Sequence, residues 1–172
     1  MLHREHPLIQ ARLFGNGTTV VKEYIMNKRE TVQAFMDSVQ QGEFNLAKSM
    51  LADDFRFSGS VPEPIDKEAW LEMSINLKAA FPDLNYHFKM IGTDGDVVRS
   101  TTQLSGTHTG ALNLMNINMG ITPATNKSVS AKLAKTRITI KNDKITLWAV
   151  EPTDGAGLTA ILGQLKVESG LS

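Results

Sequence analysis

Two turn signals in the second half of the chain constrain its fold more than any other feature. Asp94-Gly95 and Asn142-Asp143 each join two segments in which apolar and polar residues alternate, which is the pattern of a β-hairpin. The segments around the first turn span residues 84–90 and 97–107. Segments with helical spacing precede the hairpins, and one more follows them. This order predicts an α+β domain in which helices pack on one face of an antiparallel sheet.

The helical segments carry their own start and stop signals. Asn27 is a suitable N-cap with Glu30 at the third helical position, and Gly42 is a suitable terminator. Asp66 is a suitable cap for a later helix, which Pro82 ends. A short helix over 44–51 lies between them, and the stripes of the last two helices are Trp70, Met73, Leu77 and Phe81, and Leu158, Ile161, Leu162 and Leu165.

The segments around the second hairpin predict a long strand and a long loop. Residues 128–141 form one strand, which pairs with residues 145–151. Its apolar residues change from odd to even positions between Leu133 and Ile138, and such a change predicts a bulge. Residues 110–126 are rich in Asn, Met and Gly, and a loop of this length is often a lid or a binding loop.

Composition is that of a soluble globular protein. The chain has 172 residues, of which 41% are hydrophobic and 21% are charged, and this suits one domain with a sizeable core. Its 18 basic and 18 acidic residues balance, so charge favours neither nucleic acid nor an anionic membrane as a partner. The chain has no cysteine, and no apolar run approaches the roughly 20 residues that span a bilayer. We expect a cytoplasmic protein without a cofactor.

The first residues differ from the rest of the chain. They lack a basic start followed by a continuous apolar core, so they do not match a secretory signal. We expect a loosely attached N-terminal extension over 1–25 and a domain over 26–172. His3 and His6 have the spacing of metal ligands on a helix, but a proline follows them and further ligands are missing, so we expect no metal site.

Two short motifs, in order with the last hairpin and the closing helix, connect the chain to a known family. They are Ala80-Phe81-Pro82-Asp83-Leu84 and Ser105-Gly106-Thr107-His108-Thr109-Gly110. With them, residues 27–166 resemble the SnoaL-like polyketide cyclase branch of the NTF2-like superfamily. The resemblance implies a cone, in which a strongly curved antiparallel sheet packs against three to four helices around a cavity for an apolar ligand. It also implies a homodimer through the outer face of the sheet.

The resemblance implies catalytic residues from which this chain departs. SnoaL-like cyclases hold an acid in the cavity, six positions after the Lys-Ile of the last hairpin, and a histidine on the preceding strand supports it. Those positions match Val150 and Thr136, neither of which exchanges a proton near neutral pH. Glu151 is adjacent to the acid position, but neighbouring strand residues face opposite sides unless Pro152 introduces a bulge. Trp148 stands where a polar cavity residue is frequent.

His108 is the best single candidate for chemistry. It matches a family position near the cavity mouth, and an imidazole with a near-neutral pKa suits general acid–base catalysis. The alternative is a structural histidine that is hydrogen-bonded to backbone at a strand end. The catalytic candidates are therefore His108 and, if the strand turns its carboxylate inward, Glu151.

Seven residues are candidates for the cavity lining, and the alternative for each is an ordinary place in the core. They are Trp70, Tyr86, Phe88, Thr136, Ile138, Trp148 and Val150. A second cluster is basic and has no aromatic residue between its lysines, so a solvated outer sheet face is favoured over a nucleic-acid surface. Its members are Lys127, Lys132, Lys135, Arg137, Lys141 and Lys144.

Three functions stay open from the sequence. The first is a protein that binds a small, largely apolar molecule, with no chemistry or with chemistry limited to His108. The second is a cyclase- or isomerase-type enzyme that uses His108, with or without Glu151, as acid and base. The third is a non-enzymatic interaction module that uses the face of its sheet. The orientation of Glu151 discriminates between the first two.

Overall fold

The computed structural model describes residues 9–14, 18–23 and 27–168, with side chains from residue 27 to residue 166. Strands β1 (Ile9–Phe14) and β2 (Thr18–Glu23) form an antiparallel hairpin that pairs with no other described strand. The boundary expected between residues 25 and 26 lies outside the described residues, as do His3 and His6. The N-terminal extension over 1–25 therefore stays a prediction.

Four helices follow in the described part of the chain, and the caps that the sequence predicts at Asn27, Gly42 and Asp66 are present. Asn27 and Glu30 form a reciprocal capping box at the start of the first helix, and Gly42 ends that helix in the left-handed conformation. Asp66 accepts a hydrogen bond from the backbone of Ala69 at the start of the third. The helices are α1 (Lys28–Gln41), α2 (Phe44–Ser49), α3 (Lys67–Ala80) and α4 (Gly157–Glu168).

The strands that follow β2 form one large sheet and two small ones. They are β3 (Leu51–Ser58), β4 (Lys89–Asp94), β5 (Val97–Thr102), β6 (Ser105–Thr107), β7 (Leu112–Asn113), β8 (Ile121–Thr122), β9 (Ser128–Ser130), β10 (Ala134–Lys141) and β11 (Lys144–Val150). The large sheet has the order β3-β11-β10-β5-β4, and only β3 and β11 run parallel. Both predicted hairpin turns are confirmed, because β4 pairs with β5 and β10 pairs with β11 across them.

Two predicted strands differ from the structure. The strand expected from residue 84 is interrupted at His87, whose φ of 47° is left-handed, so β4 begins only at Lys89. The single strand expected over 128–141 is broken at residues 131–133, where the backbone of Lys132 donates to Gly155 instead of a ladder partner. At this break, rather than at a bulge, the buried residues change from odd to even positions.

The segment expected to be a loop over 110–126 is packed into the domain. It contains the short strands β7 and β8 around a 3₁₀ turn (Met115–Ile117). Leu112 and Leu114 are fully buried, and the side chain of Asn76 on α3 donates to the backbone of Asn113. These contacts fix the segment against α3, so it is part of the core rather than a free lid.

Aromatic rings fill the space between the helices and the large sheet. Phe35 on α1 and Trp70 on α3 lie with ring centroids 5.5 Å apart, and Phe35 meets Trp148 of β11 edge-on at 5.7 Å. Phe57 of β3 meets Trp148 edge-on at 5.3 Å, and Phe55 meets Trp70 at 6.0 Å. Such contacts add about 0.5–1.5 kcal/mol per pair to the hydrophobic gain. The interior is therefore largely occupied by side chains of this aromatic cluster.

One glycine permits a close approach between two strands. Gly59, directly after β3, has a φ of 99°, and a Cβ there would overlap the carbonyl oxygen of Val150 and lie 2.8 Å from its carbonyl carbon. Only glycine adopts this conformation without strain. The residue thus allows the chain to leave β3 tightly against the end of β11.

We expect Gly59→Ala to lower the free energy of unfolding by about 3 kcal/mol, because it combines backbone strain with overlap against backbone atoms. Gly95→Ala is the matched control, since Gly95 also has a positive φ, of 58°, but open space around it. It should cost about 1 kcal/mol. Urea denaturation of both variants measures the difference, and equal losses would contradict the close approach.

Candidate functional site

A small cavity lies between α3 and the inner face of the large sheet. Its volume is about 40 Å³. The end of β11, the segments that follow β3 and β5, and the start of α4 complete its wall. The lining residues are Phe57, Ser60, Trp70, Met73, Ser74, Leu77, Tyr86, Thr102, Leu104, Trp148, Val150, Gly157 and Leu158.

Four of the residues singled out from the sequence border this cavity, namely Trp70, Tyr86, Trp148 and Val150. The structure places the other three elsewhere. Thr136 and Ile138 are buried on β10 but do not border the cavity, and Phe88 is half-buried just before β4. Residues of the apolar stripes of α3 and α4, such as Met73 and Leu158, also border the cavity. Helical periodicity in the sequence therefore indicates part of the cavity lining.

The two positions that match the family's catalytic pair lie directly opposite each other. Thr136 of β10 pairs with Val150 of β11 in the ladder. The hydroxyl groups of Thr136 and Ser100 are hydrogen-bonded at 2.6 Å, and both residues are buried. An isopropyl group and a hydroxyl pair therefore occupy the place at which the resemblance implies an acid and a base.

Glu151 is exposed on the outer side of the sheet. It borders a surface cleft of about 260 Å³ together with Lys135, Arg137 and Pro152. Its backbone N–H donates to the carbonyl of Lys135, so β-type pairing continues through residue 151 without the bulge that would turn its side chain inward. The carboxylate therefore does not reach the cavity.

His108 is fully buried directly after β6, outside the cavity lining. Its ring stacks on Phe81 with centroids 5.1 Å apart, and its Nδ1 lies 2.9 Å from the hydroxyl of Thr125. Its backbone N–H donates to Lys127, and its carbonyl accepts from Asn126. These contacts fix the imidazole between two neighbouring segments of chain.

The surroundings of His108 favour the neutral imidazole. Burial lowers its pKa from the ordinary value, and the nearby backbone of Gly110 opposes part of that shift. Its Nε2 has no hydrogen-bond partner among the described residues. A proton added to this ring would place an unpaired charge in the interior.

The cavity lining holds no group that titrates near neutral pH. Burial raises the pKa of the Tyr86 hydroxyl, which therefore stays protonated. The remaining polar lining groups are the hydroxyls of Ser60, Ser74 and Thr102 and the indoles of Trp70 and Trp148. Ser60 accepts a hydrogen bond of 3.0 Å from the backbone of Leu158 and so ties the start of α4 to the chain after β3.

The outer face of the sheet is basic. Arg137 of β10 lies directly opposite Arg99 of β5, and Lys135 and Lys89 are both opposite Thr101. Arg99 forms an ion pair of 2.7 Å with Asp94, whereas Arg137 and Lys135 have no such partner in the part of the chain that the structure describes. Like charges directly opposite each other in a sheet repel.

The described residues form neither a metal-ligating cluster nor a membrane-spanning helix. Residues 9–14, 18–23 and 27–168 contain no group of three or more histidine, cysteine, aspartate or glutamate side chains placed to hold a metal ion. Within the same residues, every helix is too short or too polar to cross a bilayer.

Residues 29–155 match the family model for SnoaL-like polyketide cyclases. The chain belongs to the SnoaL-like polyketide cyclase family. The α+β cone expected from the resemblance is confirmed by solved structures of the same fold. No curated protein shows significant sequence similarity to the chain.

Three solved structures illustrate the likeness. A Jannaschia sp. CCS1 protein, provisionally assigned as a SnoaL-like polyketide cyclase, has a TM-score of 0.63 at 18% identity, over 84% of this chain and 93% of its own. A SnoaL-like polyketide cyclase from Agrobacterium tumefaciens has a TM-score of 0.59 at 17% identity, over 82% and 99%. An LEH-like epoxide hydrolase of M. tuberculosis has a TM-score of 0.57 at 15% identity, over 84% and 94%. At these identities the likeness shows the fold alone.

In this SnoaL-like protein, the two motifs that carry the resemblance hold each other in place. Asp83 accepts hydrogen bonds of 2.8 Å from both the backbone and the hydroxyl of Thr107, and these bonds lower its pKa. The carbonyl of Ala80 accepts from the backbones of Thr109 and Gly110. A Cβ at Gly110 would lie 2.7 Å from the carbonyl oxygen of Ala79. We call this contact, between residues 80–84 and 105–110, the motif junction.

Among the lining residues that sequence reasoning missed are those that bear hydroxyl groups. Ser60, Ser74 and Thr102 belong to no motif, and a buried serine has no periodic signature of its own. Ser74 stands on the same face of α3 as Trp70 and Leu77, at i+4 and i−3, so helical spacing was the one signal that could have identified it.

The burial of His108 predicts a pH-dependent stability. Because its folded-state pKa is lowered, the unfolded chain takes up a proton first as the pH falls through the ordinary value of about 6.5. The free energy of unfolding should then decrease by up to about 1.4 kcal/mol per pH unit until the folded state is protonated too. Urea titrations between about pH 7.5 and pH 5 measure this slope.

His108→Asn removes the titrating ring, so its slope over the same range should be smaller than that of the wild type. His87→Asn is the matched control, because His87 is exposed and its left-handed backbone suits asparagine. It should keep the wild-type slope. A wild-type slope in the His108 variant would show that the ring does not control the pH dependence.

Proposed function

We propose that this SnoaL-like protein binds a small, neutral, largely apolar molecule in the cavity between α3 and the sheet, without acid–base chemistry from the lining. The supporting observation is the lining itself, which consists of bulky apolar side chains, hydroxyl groups and the two indoles, with no carboxylate, amine or imidazole. An ionised ligand would lose its hydration there without gaining a counter-ion. A neutral ligand avoids that cost.

The volume of the cavity limits the size of the ligand. About 40 Å³ exceeds the roughly 10–15 Å³ that one water needs but is far below the roughly 300–1,000 Å³ of drug-sized ligand sites. A compound with more than a few non-hydrogen atoms must therefore displace a side chain. Met73 is the best suited to move, because it borders the cavity and methionine is unbranched and flexible.

The two tryptophans of the chain provide the test, because both border the cavity. Titration with cyclopentanone, a small neutral ketone, should change the tryptophan emission in a saturable way. At about ten times the dissociation constant, bound ligand should raise the melting temperature by roughly 3–5 °C. No saturable change with this probe would contradict the proposed function.

A pair of variants distinguishes binding of the probe in the cavity from binding at the protein surface. Ser74→Leu adds three carbon atoms to the lining of α3, so it should abolish both the emission change and the thermal shift. Ser128→Leu makes the same change at an exposed position of β9 and should leave both unchanged. Equal responses of the two variants would place the probe outside the cavity.

The enzyme alternative has less support than the binding function. General acid–base catalysis needs a titratable group within hydrogen-bond reach of the ligand. His108 stacks on Phe81 outside the lining, and Glu151 is exposed to solvent. The interaction module has an observation in its favour, which is the exposed outer face of the sheet.

A homodimer through that outer face is our second proposal. Val97, Leu147 and Ala149 supply half-buried apolar surface there, and Arg99 and Arg137 supply like charge. A two-fold interface brings the same patch of both copies together, so the arginines of the two copies would repel each other. Added salt screens that repulsion, and it weakens hydrophobic contact little.

We therefore expect the dimer to strengthen with ionic strength, as measured by sedimentation equilibrium at low and high salt. Arg137→Gln should strengthen it at low salt and reduce its salt dependence. Lys166→Gln, a change of the same charge on α4, is the control and should leave both properties as in the wild type. A dimer that weakens as salt is added would contradict this interface.

A further inference from the structure

The outer face of the sheet carries two arginines in different surroundings. Arg99 and Arg137 are direct partners in the ladder of β5 and β10. The guanidinium of Arg99 lies across Gly92, where a Cβ would be 3.0 Å from its central carbon, and it forms an ion pair of 2.7 Å with Asp94. Arg137 has no ion-pair partner among the described residues. Its charge is therefore available to a ligand.

Arg137 borders a surface cleft that is formed in part by small residues. Ser58 of β3 pairs with Ala149 of β11, and Ala149 pairs with Arg137, so the three residues form one row across the sheet. Exposed residues of β10 alternate with buried ones, which places Arg137 on the outer face. Gly59 follows Ser58 and also borders the cleft. These short side chains leave space beside Arg137, and the volume of the cleft is about 260 Å³.

The charged groups around the cleft leave one excess positive charge. Lys135 and Arg137 are its cations, and Glu151 is its single acid. Glu151 is next to Lys135 in the sheet, because its backbone N–H donates to the carbonyl of Lys135. The carboxylate of Glu151 thus offsets the charge of that lysine, whereas the charge of Arg137 is not offset. The complement of this cleft is a single negative charge.

A carboxylate is the anion that suits this cleft best. A planar guanidinium binds a carboxylate through two parallel hydrogen bonds. A phosphate dianion would exceed the excess charge. Val150 and Pro152 also border the cleft, so an apolar group beside the carboxylate gains contact there. A volume of about 260 Å³ is just below the roughly 300 Å³ at which ligand sites begin, so the ligand is small.

We propose that this cleft binds a small carboxylic acid in its ionised form and that Arg137 holds the carboxylate. The cleft lies on the outer face of the sheet, whereas the cavity lies between the inner face and α3. Its ligand is therefore a second one, which differs in charge from the neutral molecule proposed for the interior. The inference does not depend on whether the cavity binds a ligand.

Titration with sodium benzoate at a constant ionic strength of about 0.1 M provides the test. Benzoate has nine non-hydrogen atoms, and for a ligand of that size we expect a dissociation constant of about 10 mM. In ¹⁵N–¹H NMR, the side-chain Nε–H of Arg137 and the backbone N–H of Ala149 should shift in a saturable way. Benzamide has nearly the same shape without the charge, and it should leave these resonances unchanged.

Three variants identify the residues that bind the probe. Arg137→Gln removes the guanidinium and should weaken benzoate binding about fivefold. Glu151→Gln removes the acid of the cleft without changing its size, so it should strengthen binding about twofold. Arg29→Gln is the matched control, because Arg29 is an exposed arginine on α1, and it should leave binding as in the wild type.

Opposite effects of Arg137→Gln and Glu151→Gln, with no effect of Arg29→Gln, support the proposal. Equal weakening by the two arginine variants would show that benzoate responds to net charge alone, and this would overturn it. Equal shifts with benzoate and benzamide, or no saturable shift with benzoate, would overturn it in the wild-type protein without any variant. Failure of cyclopentanone to bind contradicts only the function proposed for the cavity.

Discussion

The contact of Trp148 with Phe35 and Trp70 is the interaction on which the rest of the structure depends. It joins β11, α1 and α3 at one point, and the edge-on geometry at 5.7 Å between Phe35 and Trp148 is the favourable arrangement for two rings. These rings set the distance between the helices and the sheet. They also occupy most of the interior, which is why the cavity holds about 40 Å³ rather than a volume typical of a ligand site.

The motif junction shows why the family is recognisable although Val150 and Thr136 stand where the resemblance implies an acid and a supporting histidine. Asp83, Thr107 and Gly110 are required by hydrogen bonds and close backbone approach, irrespective of what the cavity does. Val150 is under no such constraint, because any compact side chain is compatible with its place in the ladder. Thr136 is held by the buried hydrogen bond to Ser100 rather than by the motif junction. The residues that hold the junction together are thus distinct from the positions that the resemblance links to chemistry.

Local signals made most of the fold predictable. Capping at Asn27 and Asp66 and the two hairpin turns depend on a few neighbouring residues, and the structure confirms each of them. The break in the predicted strand at His87 and the packing of residues 110–126 depend on distant partners, namely Gln103 and α3. Strand parity correctly predicts the outward side of Glu151. The hydroxyl groups of the cavity had no signature, because their role comes from the assembled wall.

The ladder pair of Thr136 and Val150 has an evolutionary consequence. Every valine codon differs by one base from a codon for aspartate or glutamate, so a single nucleotide change would return a carboxyl group to this wall. It would border the cavity beside the indoles with its hydroxyl neighbours already bonded to each other, and its partial burial would favour the protonated form. A raised affinity for its proton is what a general acid requires. The scaffold thus stands one mutational step from an acid whose strength the aromatic wall would set.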